Sequence, residues 1–138
     1  MQGLLADVNL NHELPILRGL LDDLGLRPLL VDANPKFLTL TDLGLSAALS
    51  DRALWNYCQD EGWVLFTDNR NQNDKDSLEA TLDDSWRIGN LPVLTLADKA
   101  RFLKEADYRA RVAIDVAELL FGIPAGEYRD QPRIWLPR

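Results

Sequence analysis

The sequence is poor in the residues that usually announce a site. It holds one cysteine and one histidine in 138 residues. Cys58 alone cannot close an internal disulfide, and without a Cys/His cluster a tetrahedral zinc site is not expected. Cys58 follows the apolar spacing of its segment, which fits packing better than nucleophilic work. His12 alone would have to carry any histidine-based triad. No G-x-G-x-x-G or P-loop pattern offers a phosphate cradle. No apolar run approaches the roughly 20 residues of a membrane span. No basic stretch followed by a long apolar one opens the chain, so no secretory signal is expected. A cytoplasmic protein with no membrane partner is the expectation. Positive charge is also scarce: 15 Lys and Arg stand against 22 Asp and Glu, for a net charge of −7. That argues against a broad electrostatic grip on nucleic acid. It leaves room for an enzyme that holds nucleic acid through divalent cations, which acid clusters bind.

What is present suits one ordinary domain over residues 1–138, with 46 % apolar residues to form its core. "GLLAD" (residues 3–7) is the short continuous apolar run of a buried parallel strand. A helix follows, with Asn11 as a candidate cap, Pro15 in the first turn, Leu14, Leu17, Leu20, Leu21 and Leu24 on one face, and Gly25 as its stop. "PLLV" (residues 28–31) reads as a second strand, and residues 34–49 as loop with short helical pieces. "SDRALWNYCQDEG" is a helix capped by Ser50 or Asp51, leading into a third strand, "WVLFT" (residues 63–67). A further helix in "DSLEATL" takes Asp76 as cap with Glu79 three residues on, the spacing of a capping box. A fourth strand, "LPVLTL" (residues 91–96), precedes one long amphipathic helix over residues 97–121. "RIWLP" in the tail suggests a short edge strand or a segment lying over the core. Alternating strands and helices predict a three-layer α/β domain with a mainly parallel central sheet flanked by helices.

The stretch "WVLFTDNRNQNDKD" (residues 63–76) is unusual because a buried strand runs straight into carboxylates and carboxamides. In parallel sheets, ligands sit outside the carboxyl ends of the strands. Three clusters fall there: Asp7 with Asn9 and Asn11, then Asp51, then Asp68, Asn69 and Asn71 with Asp74 and Asp76 beyond. Such oxygens suit Mg2+ or Mn2+, which takes one or two carboxylates together with water and substrate phosphate. Each residue also has an ordinary structural role to weigh. Asp51 suits a helix cap, Asp68 and the asparagines suit a turn, and Asp76 suits the next helix start. Arg70 offers a guanidinium that matches phosphate oxygens, or a loop ion pair.

Asp7 closing the first strand, together with "SDRALWNYCQDEGWVLFTDNRN", resembles the PIN-like family of metal-dependent ribonucleases, in particular its compact bacterial branch. The resemblance spans residues 4–82. It implies hydrolysis of RNA phosphodiester bonds with Mg2+ or Mn2+ as cofactor. Asp7, Asp51 and Asn69 would be catalytic, with Asp68 and Asp76 joining them as metal ligands and Asn9, Arg70 and Asn71 near the substrate. Asn69 stands where many active members have Asp, and the family's further helix acid has Asp42 as its nearest counterpart. The implied partners are RNA as transient substrate and an antitoxin, if the chain is the toxin of a toxin–antitoxin pair. A homodimer is a further expectation. The rival class is a non-catalytic binding module with a weakened metal site. A phosphoacceptor receiver-like domain, with Lys99 following the fourth strand, ranks below both.

Overall fold

The computed structural model describes residues 1–69 and 75–138. Among the described residues five strands, all parallel, form one sheet in the order β2-β1-β3-β4-β5. They are β1 (Gly3–Ala6), β2 (Lys36–Thr39), β3 (Trp63–Thr67), β4 (Val93–Leu96) and β5 (Arg133–Leu136). Among the described residues five α-helices connect them: α1 (Glu13–Asp23), α2 (Asp51–Glu61), α3 (Leu78–Ser85), α4 (Lys99–Lys104) and α5 (Ala106–Gly122). None of the described helices is long and apolar enough to cross a membrane.

Side chains alternate across a strand, and that divides the core into two layers. Leu4, Ala6, Val64, Phe66, Leu94 and Leu96 pack on one face with Leu14, Leu17 and Leu21 of α1 and with Val112, Val116 and Leu120 of α5. Leu5, Leu65 and Val93 point the other way, onto Leu54, Trp55 and Cys58 of α2 and Leu78 and Leu82 of α3. Helices therefore cover both faces, and the three central strands β1, β3 and β4 are buried along their whole length. The fold is a three-layer α/β domain. From β1 the chain winds to β2 on one side and to β3 on the other, so the winding direction changes between the carboxyl ends of β1 and β3.

The β1–β2 contact depends on Gly3. Its φ is 152°, and a Cβ added there would stand inside the backbone of Lys36. Only glycine lets the two strands approach so closely.

Several expected elements are placed differently. "PLLV" is not a strand. Gly25, at φ 68°, ends α1 in a Schellman turn, with Leu26 N donating to Leu21 O (2.9 Å) and Gly25 N to Asp22 O (3.1 Å). The chain then enters a 3-10 turn, Arg27–Leu30, which accepts Pro28 in its first positions and buries Leu30. The second strand comes later, inside the segment expected to be loop, where Phe37 is buried. The candidate cap Asn11 lies in the turn before α1, whose N-cap is His12 and has no side-chain cap bond. Leu24 is exposed and leaves the α1 face.

The cap of α3 is Ser77, whose hydroxyl accepts from Ala80 N at 3.2 Å, not Asp76, and Glu79 is drawn away to Arg133. The long helix over residues 97–121 is two helices. Glu105 between them is extended, and the Arg109 guanidinium donates to the Phe102 and Leu103 carbonyls at the end of α4 (3.0 Å each). On these two helices Leu103 and Ala106 are exposed, and Phe102 and Tyr108 are buried.

Candidate functional site

Asp7 continues β1 by one residue, its N–H donating to Phe66 O of β3 at 2.9 Å. Its carboxylate therefore stands at the carboxyl edge, where the winding reverses. Thr67, the last residue of β3, donates its hydroxyl to Asp7 Oδ2 (2.9 Å) and accepts from Asn69 N (3.0 Å). The Asn69 carboxamide donates to Asp51 Oδ2 (2.7 Å). One hydrogen-bonded run, Asp7–Thr67–Asn69–Asp51, thus joins the end of β1, the end of β3 and the start of α2.

Asp51 is not the cap of α2. Ser50 is, with its hydroxyl accepting from Ala53 N at 3.1 Å. That leaves the Asp51 carboxylate to face the site, where it also accepts from Leu78 N at the start of α3 (3.1 Å). Burial pushes the Asp7 carboxyl above its ordinary value, against the hydrogen bonds from Thr67 and Val8 that favour the ionised form. The charges of Asp51 and Asp68 push it further up. Beneath them Cys58 is buried, its thiol raised to about 12 by burial and by the charge of Asp7, which makes it inert.

The other candidates fall at varying distance from this run. Asp68 is partly buried and lies 4.0 Å from Lys99 Nζ. Asn9 is exposed in the 3-10 turn after Asp7, and its carbonyl accepts from Lys99 Nζ at 3.0 Å. The Asp76 carboxylate pairs with Arg52 (3.2 Å), which also holds Asp84 at 3.0 Å. Asp42 is an exposed turn residue, accepting from Thr39 N at 2.9 Å, and that bond holds its carboxyl below the ordinary value. Arg70, Asn71 and Asp74 lie outside the described residues.

One participant had no visible signal in the sequence. Arg133, the first residue of β5, sends its guanidinium across β4 to Asn69 O and Thr95 Oγ1, each at 2.9 Å. Its side chain is only 7 % exposed, and Glu79 balances the charge at 2.6 Å. Arg133 therefore holds the backbone of the residue whose carboxamide meets Asp51. Only side-chain reach across a neighbouring strand links these residues, and spacing along the chain does not report it.

The oxygen donors are of the hard kind that Mg2+ and Mn2+ prefer, ions that commonly take one or two carboxylates and keep several waters. Among the described residues no three His, Cys, Asp or Glu side chains gather into a cage for an ion. Comparison with family models, with curated proteins and with solved structures found no match to this chain.

Proposed function

We propose that the chain is a PIN-like, Mg2+- or Mn2+-dependent ribonuclease, acting on RNA in the cytoplasm. The observation that supports it best is the hydrogen-bonded run from Asp7 to Asp51 at the switch point of the sheet. Asp7 and Asp51 would hold the ion, with Asp68 behind them. A bound divalent ion would lower the pKa of a water and offset charge on the phosphodiester. The chain's own part is to orient. Thr67 fixes the Asp7 carboxylate, Asn69 fixes Asp51, and Arg133 fixes Asn69. An antitoxin-like protein partner, and a toxin role, belong to the same proposal.

A second possibility, a non-catalytic binding module, draws on Asn69. A neutral carboxamide donates to Asp51 where a carboxylate would add charge for a cation. RNA cleavage in manganese separates the two. The nuclease is expected to cleave only with the ion present, Asp7→Asn to lose at least about 100-fold in rate, and Asn69→Asp to keep or exceed wild-type cleavage. Absence of cleavage by both wild type and Asn69→Asp on several RNAs would select the binding module.

A further inference from the structure

The cations around the carboxyl edge are not equivalent. Arg133 is buried and directed inward to Glu79, Thr95 and Asn69. Arg52 spreads over Asp76, Asp84, Ser85 and the Lys75 carbonyl. Lys99, where β4 passes into α4, is placed differently. Its side chain is 40 % exposed, its one short bond among the described residues goes to the Asn9 carbonyl, and Asp68 lies at the outer limit of an ion pair, 4.0 Å away. An ammonium carries three donors, so this geometry leaves it capacity for another acceptor. Asn9 holds it beside the turn that follows Asp7, and Asp68 holds it beside the end of β3. The ammonium therefore stands on the rim of the Asp7 site, where a polyanion would otherwise meet Asp7, Asp51 and Asp68.

We propose that Lys99 is the phosphate-binding residue of this site, taking a non-bridging oxygen of a nucleic-acid backbone phosphate next to Asp7. The choice of nucleic acid as ligand rests on the nuclease proposed above, but the binding step does not require turnover. A Lys at this position acts as a point charge, without the bidentate geometry of Arg. It should contribute affinity with little sequence preference, because phosphate contacts carry no base information.

The test is equilibrium binding of a short fluorescent oligouridylate to the full chain, with calcium in place of manganese and salt as the variable. Wild type should bind with an affinity that falls as salt rises. Lys99→Ala should bind several-fold more weakly, with a salt slope shallower by about 0.7, the value for one lost contact to a single strand. Lys99→Arg should restore both, and Lys104→Ala, which removes an equal charge at the exposed far end of α4, should change neither. An unchanged slope and affinity in Lys99→Ala would overturn the assignment, as would equal losses in Lys99→Ala and Lys104→Ala. Failure of wild type to bind the oligouridylate would also overturn it. Lys99-dependent binding by a protein that cuts no RNA in manganese would uphold Lys99 and reject the nuclease. Cleavage with a slope indifferent to Lys99 would do the reverse.

Discussion

The two ends of the sheet are built from the same five strands and are finished in opposite ways. At the amino end, neutral groups close every bond described. Gln2 N donates to Gly62 O (2.7 Å), Lys36 N donates to Gln2 O (3.0 Å), and Gly3 lets β2 approach β1. The Gln59 carboxamide donates to Leu91 O (3.1 Å) and accepts from Leu91 N (2.9 Å), as a neighbouring strand would. At the carboxyl end, burial makes ionised Asp7 costly, and the charges of Asp51 and Asp68 add to that cost. The amino end is arranged for stability. The carboxyl end disfavours the ionised form of Asp7, and the proposed site draws on that contrast.

Breaking the amino end should cost the most. Gly3→Ala is expected to lose about 3 kcal/mol or more, since the added methyl meets backbone and not a side chain that can swing away. Chemical denaturation would check it, and a loss under about 1 kcal/mol would mean that β2 can shift freely. Gln59→Ala removes both side-chain bonds to the partly buried Leu91 backbone and should cost about 1 kcal/mol by the same measurement.

At the carboxyl end the sign reverses. The folded protein holds the Asp7 proton more tightly than the ordinary value of 3.8. Its favourable contribution is thus present below 3.8 and is lost as pH rises through the raised value. Asp7→Asn should therefore raise the unfolding midpoint at neutral pH by a few degrees at most, with the gain shrinking as pH falls toward 4. A midpoint lowered at neutral pH would make Asp7 a structural residue of the amino-end kind.

This contrast also explains which features the sequence makes legible. The α/β class, the strand "WVLFT", helix α2 and the edge strand at Arg133 all follow from local pattern. Asp7, Asp51 and Asn69 were legible because the rule for parallel sheets places strand ends and helix starts at one edge, and a hydrogen-bonded run joins them there. "PLLV" misleads because a short apolar run is equally good at filling a core from a 3-10 turn, and Pro28 favours the turn. The break at Glu105 is hidden by a continuous alanine-rich pattern and is stabilised by Arg109 from the following helix. Arg133, Glu79 and Thr95 meet only in three dimensions. Lys99 approaches Asp68 through the order of β3 and β4 in the sheet, which no spacing along the chain conveys.

The central proposal is that the carboxyl-edge acids take a divalent cation, and thermal unfolding with and without manganese at neutral pH tests it most directly. Wild type should gain stability with the ion, by about 2.7 kcal/mol at a hundred times its dissociation constant. Asp7→Asn should start above metal-free wild type and stay where it is when manganese is added. A wild-type midpoint unmoved at millimolar manganese, or an equal shift in both proteins, would contradict the account.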